Sequence, residues 1–142
     1  MRSALALGAC LLALAAACGG ASRSPESVVR AWSRAINAGD DEAAGDLFAS
    51  GAEVIQGGRI TRLRTHDDAV AWNAGLPCSG TIVALVRSGD VVRATFVLGN
   101  RRYTPCDGPG QRATAIFRIR DGKIVLWHQI VTAGEPGPTA TV

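Results

Sequence analysis

One histidine and one glutamate are the side chains of this 142-residue sequence best placed for acid–base chemistry. His128 belongs to a segment in which apolar and polar residues alternate, and Glu53 is the one carboxylate within an expected β-strand. Helix caps, turns and helix surfaces account for nearly all the other carboxylates. An imidazole set among apolar residues can act as a general base or orient a ligand. We therefore take His128 as the first catalytic candidate and Glu53 as the second; the alternative is a core or rim histidine satisfied by one hydrogen bond.

A β-hairpin is expected to position this histidine. Asp121-Gly122 stands between two segments of alternating apolar residues, and this dipeptide favours a two-residue turn. Such a turn fixes the register, so Phe117 is predicted to pair with Leu126, and Ala115 with His128. The histidine then lies on an apolar core face with Phe117 and Leu126, with room for a pocket opposite the small alanine.

The opposite face of the hairpin is predicted to carry Trp127 beside Ile116. A large aromatic side chain on an exposed sheet face suits a protein–protein interface, and we expect a homodimer here. The alternative is that a neighbouring strand or the C-terminal tail covers Trp127. Both interpretations stay open at this stage.

Ahead of this hairpin, the residue pattern predicts three helices and further strands. Ser24 and Pro25 begin the first helix, Asp40 caps the second, and Thr65 caps the third. The expected strands are 52–56, 81–87, 91–98 and the two strands of the final hairpin. Helices at the front followed by antiparallel hairpins make an α+β architecture.

The N-terminus has the features of an export signal. Arg2 precedes an apolar, uncharged run that is shorter than a membrane-spanning helix requires. The run ends in Ala15-Ala16-Ala17-Cys18, which resembles the lipobox of bacterial lipoproteins, in which the cysteine is lipidated. We expect residues 1–17 to be a signal peptide and residues 18–24 a tether whose lipidated Cys18 anchors the protein to the outer face of the cell membrane.

Two alternatives to this anchor remain. Leu7-Gly8-Ala9-Cys10 matches the lipobox letters more closely, but cleavage there would leave too short an apolar core for a signal. An ordinary signal peptide would leave Cys18 as a free thiol. At the other end, residues 134–142 are rich in Gly, Pro and Thr and are expected to form a flexible tail.

The two remaining cysteines of the mature chain, Cys78 and Cys106, are expected to form a disulfide, because an even number of cysteines in an exported chain favours pairing. The rival interpretation is a metal site that also uses His66 and His128. These residues lack the C-x-x-C and H-x-x-x-H spacings of zinc sites, and we expect neither a metal nor a cofactor.

The charge of the chain argues against a nucleic-acid partner. The formal net charge is +3, and all but one of the 15 basic residues are arginine. The arginines are scattered and form no concentrated stripe of the kind that binds nucleic acid, Arg101-Arg102 being the longest run. We interpret them as a solvated surface that also favours anionic lipid.

Two passages resemble the SnoaL-like branch of the nuclear transport factor 2-like superfamily. The first runs from Ala31-Trp32 to Ala38-Gly39-Asp40 and continues through Leu47-Phe48, and the second is 117–127. The resemblance implies a domain at 25–133 shaped as a cone-like roll, with about three helices on a curved, mostly antiparallel sheet of four to six strands. It also implies an enclosed pocket and, often, a dimer packed through the outer face of the sheet.

We expect that pocket to be lined by Trp32, Phe48, Trp72, Phe96, Tyr103, Phe117, Leu126 and His128. Many SnoaL-like enzymes carry an aspartate just after the aromatic part of the last strand, where this chain has Ile130-Val131-Thr132. We therefore expect a non-catalytic envelope lipoprotein that binds a small hydrophobic molecule or an envelope partner. The alternatives are an isomerase, dehydratase or cyclase that uses His128 as acid or base, and an interaction module whose cavity is filled by its own aromatic residues.

Overall fold

The computed structural model describes residues 23–131, so the predicted signal peptide, Cys18 and the tail lie outside the described residues. The chain forms three helices and six strands. These are α1 Pro25–Ala38, α2 Asp41–Gly45, β1 Phe48–Gln56, β2 Arg59–Leu63, α3 His66–Ala74, β3 Ser79–Ser88, β4 Val91–Gly99, β5 Arg112–Arg120 and β6 Lys123–Ile130. Within the described range, no helix is long and apolar enough to cross a membrane.

The helix termini follow the predicted capping residues. The Ser24 side chain accepts from the N–H of Ser27, and Asp40 caps α2 in the same way. Thr65 and Asp68 form a reciprocal capping box at the start of α3. Gly39 ends α1 in the left-handed conformation, with φ of 70°. These capping predictions are confirmed. The caps could be predicted from the sequence because each depends on contacts within about one turn of the chain.

The strands form one sheet in the order β2-β1-β6-β5-β4-β3, in which only the β1–β6 pair is parallel. All three helices pack on one face: α1 contacts β3, β4 and β5, and α3 contacts β1 and β2. The predicted fold class, three helices on a curved and mostly antiparallel sheet, is confirmed. We call the helix side the inner face and the opposite side the outer sheet face.

Strand β2 was not predicted. It pairs with β1 through a turn at Gly57 and Gly58, whose φ angles are 57° and 76°. Four of its five residues are exposed, so it lacks the apolar alternation that marks a half-buried strand. The one available signal was the Gly-Gly pair between Ile55 and Ile60, which favours a two-residue hairpin turn.

The predicted register of the last hairpin is wrong beyond its first two pairs. Ile119 pairs with Ile124 as expected, but Phe117 then pairs with Trp127, and Ile116 with His128. The cause is a β-bulge at Val125, which inserts one residue and turns every later side chain of β6 to the opposite face. Trp127 is therefore inward and the histidine outward.

The energetic reason for this bulge is the difference between an indole and an imidazole. Strict alternation would have placed His128 in an apolar interior and left Trp127 in water. Burying the large indole is favourable, whereas burying an imidazole without a partner is costly. The predicted inward position of Leu126 and the predicted outward position of Trp127 are wrong for the same reason: Leu126 lies outward opposite Arg118, and Trp127 is only 5% exposed.

Candidate functional site

The space between the helices and the sheet is filled by aromatic rings. Trp32 of α1 lies at the centre, with ring centroids 5.2 Å from Phe117, 6.0 Å from Phe96 and 6.3 Å from Trp127. Trp72 of α3 continues the cluster, 4.9 Å from Trp127. The six rings of this aromatic core belong to Trp32, Phe48, Trp72, Phe96, Phe117 and Trp127. Five of the predicted pocket aromatics, Trp32, Phe48, Trp72, Phe96 and Phe117, therefore do come together, but as packed core.

The aromatic core contains one hydrogen-bonded polar pair. Nε1 of Trp32 donates to Oδ1 of Asn73 over 2.8 Å, and Nδ2 of Asn73 donates to the carbonyl of Ala69. Nε1 of Trp127 is buried and has no acceptor among residues 23–131. Both indoles are thus part of the packing, and within the described range only that of Trp32 has its N–H satisfied by a hydrogen bond.

The buried residues include no acid–base group of the kind a proton-transfer enzyme needs. Among residues 23–131 the buried polar or charged side chains are Ser33, Asn73, Ser79, Arg101 and Thr114. Neither a carboxylate nor a histidine belongs to this set. A general acid or base works best in an apolar, water-excluded setting, which this interior does not provide to any such group.

His128 lies on the outer sheet face, half-buried between neighbouring strands. A single row of residues crosses all six strands there: Ile60, Ile55, His128, Ile116, Arg93 and Val86. The imidazole therefore has isoleucines on both sides, Ile55 of β1 and Ile116 of β5. Ile116 is on the outer face as predicted, whereas the expected core position of His128 is wrong.

Glu53 is also on the outer sheet face, on the strand beside His128 and two residues away in register. Its Oε1 is 2.5 Å from Nη2 of Arg62 across the β1–β2 pair, and both side chains are substantially exposed. The two catalytic candidates thus share a face, but the carboxylate is engaged in an ion pair. Their proposed catalytic roles remain predictions.

Tyr103 is separate from the aromatic core. Its side chain is 79% exposed on the loop between β4 and β5, where the guanidinium of Arg102 lies 5.5 Å from the ring centroid. That loop is tied down by the Cys78–Cys106 disulfide, which confirms the predicted pairing. Since both sulfurs are in the disulfide, they do not act as thiolate ligands in the rival metal site.

Arg101 is a structural residue, so the prediction that it belongs to the solvated surface is wrong. It is 9% exposed, its Nη2 is 2.5 Å from Oδ1 of Asp41, and its Nη1 donates to the carbonyls of Asn73 and Leu76. One side chain thus joins the loop to the start of α2 and the end of α3. No spacing or composition signal separates it from the other scattered arginines.

His128 lines neither of two grooves that border the helices of the described domain. A groove of about 220 Å³ lies between α1 and β3, lined by Arg30, Ser33, Arg34, Asn37, Thr81 and Ile82. A groove of about 400 Å³ lies between β2 and α3, lined by Thr61, Arg62, Leu63, Arg64, Asp68, Ala71 and Trp72. Trp72 is the one predicted pocket residue at either groove. The groove residues that belong to β2 were not predicted because β2 itself was not predicted.

The fold has many solved counterparts at low sequence identity. An NTF2-like protein of unknown function from Cytophaga hutchinsonii is 11% identical with a TM-score of 0.64, over 78% of this chain and 92% of that one. A Catenulispora acidiphila protein with a ketosteroid isomerase-like fold, in complex with trimethylamine, is 21% identical with a TM-score of 0.60, over 76% and 87%. A protein from Sphaerobacter thermophilus is 22% identical with a TM-score of 0.61, over 78% and 96%. A search of curated proteins finds no match.

These structural likenesses establish the cone-like fold alone, because the identities are low. The family follows from the sequence itself. The profile of the SnoaL-like domain matches residues 29–127, a span that runs from α1 to β6 and covers more than half of the chain. The protein therefore belongs to the SnoaL-like domain family, whose architecture is that of NTF2-like proteins.

Proposed function

We propose that this protein is an exported, lipid-anchored module of the cell envelope that works by binding and not by catalysis. The observation that carries the proposal is the interior, which six aromatic rings fill and in which no described aspartate, glutamate or histidine is buried. His128 and Glu53, which would have to carry an isomerase, dehydratase or cyclase reaction, lie on the open outer sheet face.

The surface best suited to a protein partner is the outer sheet face. Its centre is apolar and half-buried, although no helix of the described domain covers it. The central residues are Ile55, Ile116, Leu126, His128 and Ile130. Charged residues stand around them, namely Glu53, Arg62, Arg93, Arg112 and Arg118. An apolar centre within a polar rim is the usual composition of a protein interface.

We propose a second copy of the chain as the occupant of this face. The apolar centre follows β6 and β5 in the middle of the sheet, so a twofold axis there would bring the same residues of two copies together. The arginines of the rim would then remain at the periphery, where solvent and salt screen their repulsion. The interface uses Ile116 and not Trp127, because the tryptophan belongs to the aromatic core.

Sedimentation equilibrium of the mature protein in detergent tests this assembly. We expect a dimer for the unchanged protein and a monomer for Ile116→Arg, which places a charge in the centre of the face. Tyr103→Arg is the matched control, because it puts the same charge at an exposed residue of the loop, and it should remain dimeric. A monomer at all concentrations, or a dimeric Ile116→Arg variant, would refute the homodimer.

The membrane anchor has its own test, since Cys18 lies outside the described residues. Mass spectrometry of the protein extracted from membranes should find lipid on Cys18 as the new N-terminus. Cys18→Ser should release the protein from the membrane fraction, whereas Cys10→Ser should not change its retention. An unmodified Cys18 would remove the lipid anchor from the proposal and leave the binding role to be judged by the assembly experiment.

A further inference from the structure

We propose that the groove between β2 and α3 binds a flat ring compound that carries a carboxylate. This inference deepens the proposed binding role, but it concerns the edge of the sheet at β2 and α3, which shares only Arg62 with the rim of the outer sheet face. The groove has a volume of about 400 Å³, which is within the range of small-molecule sites, roughly 300–1,000 Å³. It can therefore hold a compound of two or three fused rings.

The apolar wall of the groove includes the indole ring of Trp72, whose orientation is fixed by its packing. Trp72 is half-buried, and its indole packs edge-on against Phe48 at 5.6 Å and Trp127 at 4.9 Å. The core therefore fixes the orientation of the ring, and the part that the core leaves uncovered borders the groove together with Leu63 and Ala71. A fixed aromatic surface beside aliphatic groups favours a flat, apolar ligand body.

The lining of this groove has a formal charge of +1, because it contains two arginines, Arg62 and Arg64, and one carboxylate, Asp68. Arg62 is already paired with Glu53, and the Asp68 carboxylate accepts from the backbone N–H groups of Arg64 and Thr65 at the start of α3. Within the described part of the chain, no carboxylate lies within 4.0 Å of the Arg64 guanidinium. Among the described residues, Arg64 is thus the arginine of the groove lining that has no carboxylate partner, and the Asp68 carboxylate is directed to backbone N–H groups at the positive end of α3.

Arg64 is also fixed through its backbone. Its N–H donates to Oδ2 of Asp68 over 2.9 Å, and its carbonyl accepts from Oγ of Ser50 over 2.8 Å. Hydrogen bonds therefore fix the backbone of Arg64 through both its N–H and its carbonyl, whereas the residue itself remains exposed. A guanidinium presents parallel N–H donors that match the two oxygens of a carboxylate. The same charge disfavours a cationic ligand, and a single guanidinium suits a monoanion better than a phosphate dianion.

Calorimetric titration of the mature protein with 2-naphthoate tests the proposal, with 2-naphthalenemethanol as the neutral analogue of the same shape. We expect one saturable site for naphthoate and about tenfold weaker binding of the alcohol, because the alcohol lacks the charge-assisted hydrogen bonds. Arg64→Gln should lower naphthoate affinity by about tenfold and leave the affinity for the alcohol unchanged. An unchanged affinity for the alcohol also shows that the groove is intact in the variant.

Two further variants locate the site. Arg59→Gln removes another exposed arginine, which belongs to β2 but does not line the groove, and the variant should bind naphthoate like the unchanged protein. Ala71→Trp fills the groove and should abolish binding of both compounds. The proposal is overturned if naphthoate shows no saturable binding up to about 5 mM, or if Arg64→Gln and Arg59→Gln have equal effects. Sedimentation of the same samples separates such a failure from a failure of the dimer.

Discussion

Trp32 donates a 2.8 Å hydrogen bond from its indole nitrogen to Asn73, a side chain with no exposed surface. Trp127, whose ring centroid is 6.3 Å away, is buried to nearly the same degree, yet its indole N–H has no acceptor among residues 23–131. The two tryptophans thus contribute similar apolar area to one core, but they differ in hydrogen bonding. This difference allows the contribution of the hydrogen bond to the free energy of unfolding to be separated from that of the buried apolar area.

Trp32→Phe is expected to destabilise the domain more than Trp127→Phe. Both changes remove part of a buried ring, but only the first leaves the buried amide oxygen of Asn73 without its donor, which should add about 1–3 kcal/mol to the loss. Urea unfolding followed by circular dichroism measures both free energies. Equal losses, or a larger loss for Trp127→Phe, would show that the hydrogen bond adds no stability.

Arg101→Met should lower the free energy of unfolding by about 3 kcal/mol, at the lower end of the range for broken buried ion pairs because the Asp41 side chain is 25% exposed. The variant removes one donor from each of the carbonyls of Asn73 and Leu76 and leaves the Asp41 carboxylate without its ion-pair partner. Arg102→Met, which changes the exposed neighbour, should alter stability by no more than about 0.5 kcal/mol. Thermal unfolding of the two variants gives the comparison, and similar melting temperatures would contradict a clamping role for Arg101.

Deletion of Val125 should remove the bulge and restore strict alternation along β6. His128 would then turn inward and Trp127 outward, at a cost of about 3–5 kcal/mol, comparable to losing a large aromatic residue from a core. Val125→Ala keeps the bulge and should cost far less. Exchanging the two side chains in the deletion variant (Trp127→His with His128→Trp) should recover stability. A deletion variant as stable as Val125→Ala would show that the bulge does not decide which residue is buried.

Replacing both Cys78 and Cys106 by serine should lower the free energy of unfolding by about 3–4 kcal/mol, because the disulfide closes a loop across 28 residues. Reduced wild-type protein is the matched control and should unfold at the same urea concentration as the double variant. If the double variant unfolded at the same urea concentration as the oxidised wild-type protein, the Arg101 contacts alone would be sufficient to hold the loop.

The helices of this domain could be predicted from the sequence because their signals are local. Thr65 and Asp68 are three residues apart, and the contact between them that starts α3 needs no other part of the chain. The disulfide could be predicted on a different ground: the expected signal peptide and the even number of cysteines that would follow it favour the pairing of Cys78 with Cys106. The fold class followed from the order of these elements together with the resemblance.

The faces of β6 and the position of Arg101 could not be predicted in this way. A bulge has no fixed residue signature, and the gain from turning Trp127 inward depends on Trp32 and Trp72, which are distant in sequence. One inserted residue exchanged the predicted environments of Trp127 and His128. Strand β2 could not be predicted because its residues are mostly exposed. The groove residues that it supplies could therefore not be predicted either.

The parallel pair between β1 and β6 has a consequence for the order in which this protein can fold. Within residues 23–131, β2 joins the sheet only through β1, and β1 joins it only through β6, the last strand of that range. The β1–β2 hairpin can therefore join the rest of the sheet only after β6 has been synthesised. A chain interrupted before residue 123 would hold two disconnected pieces of sheet, each with a bare edge on which foreign strands could add.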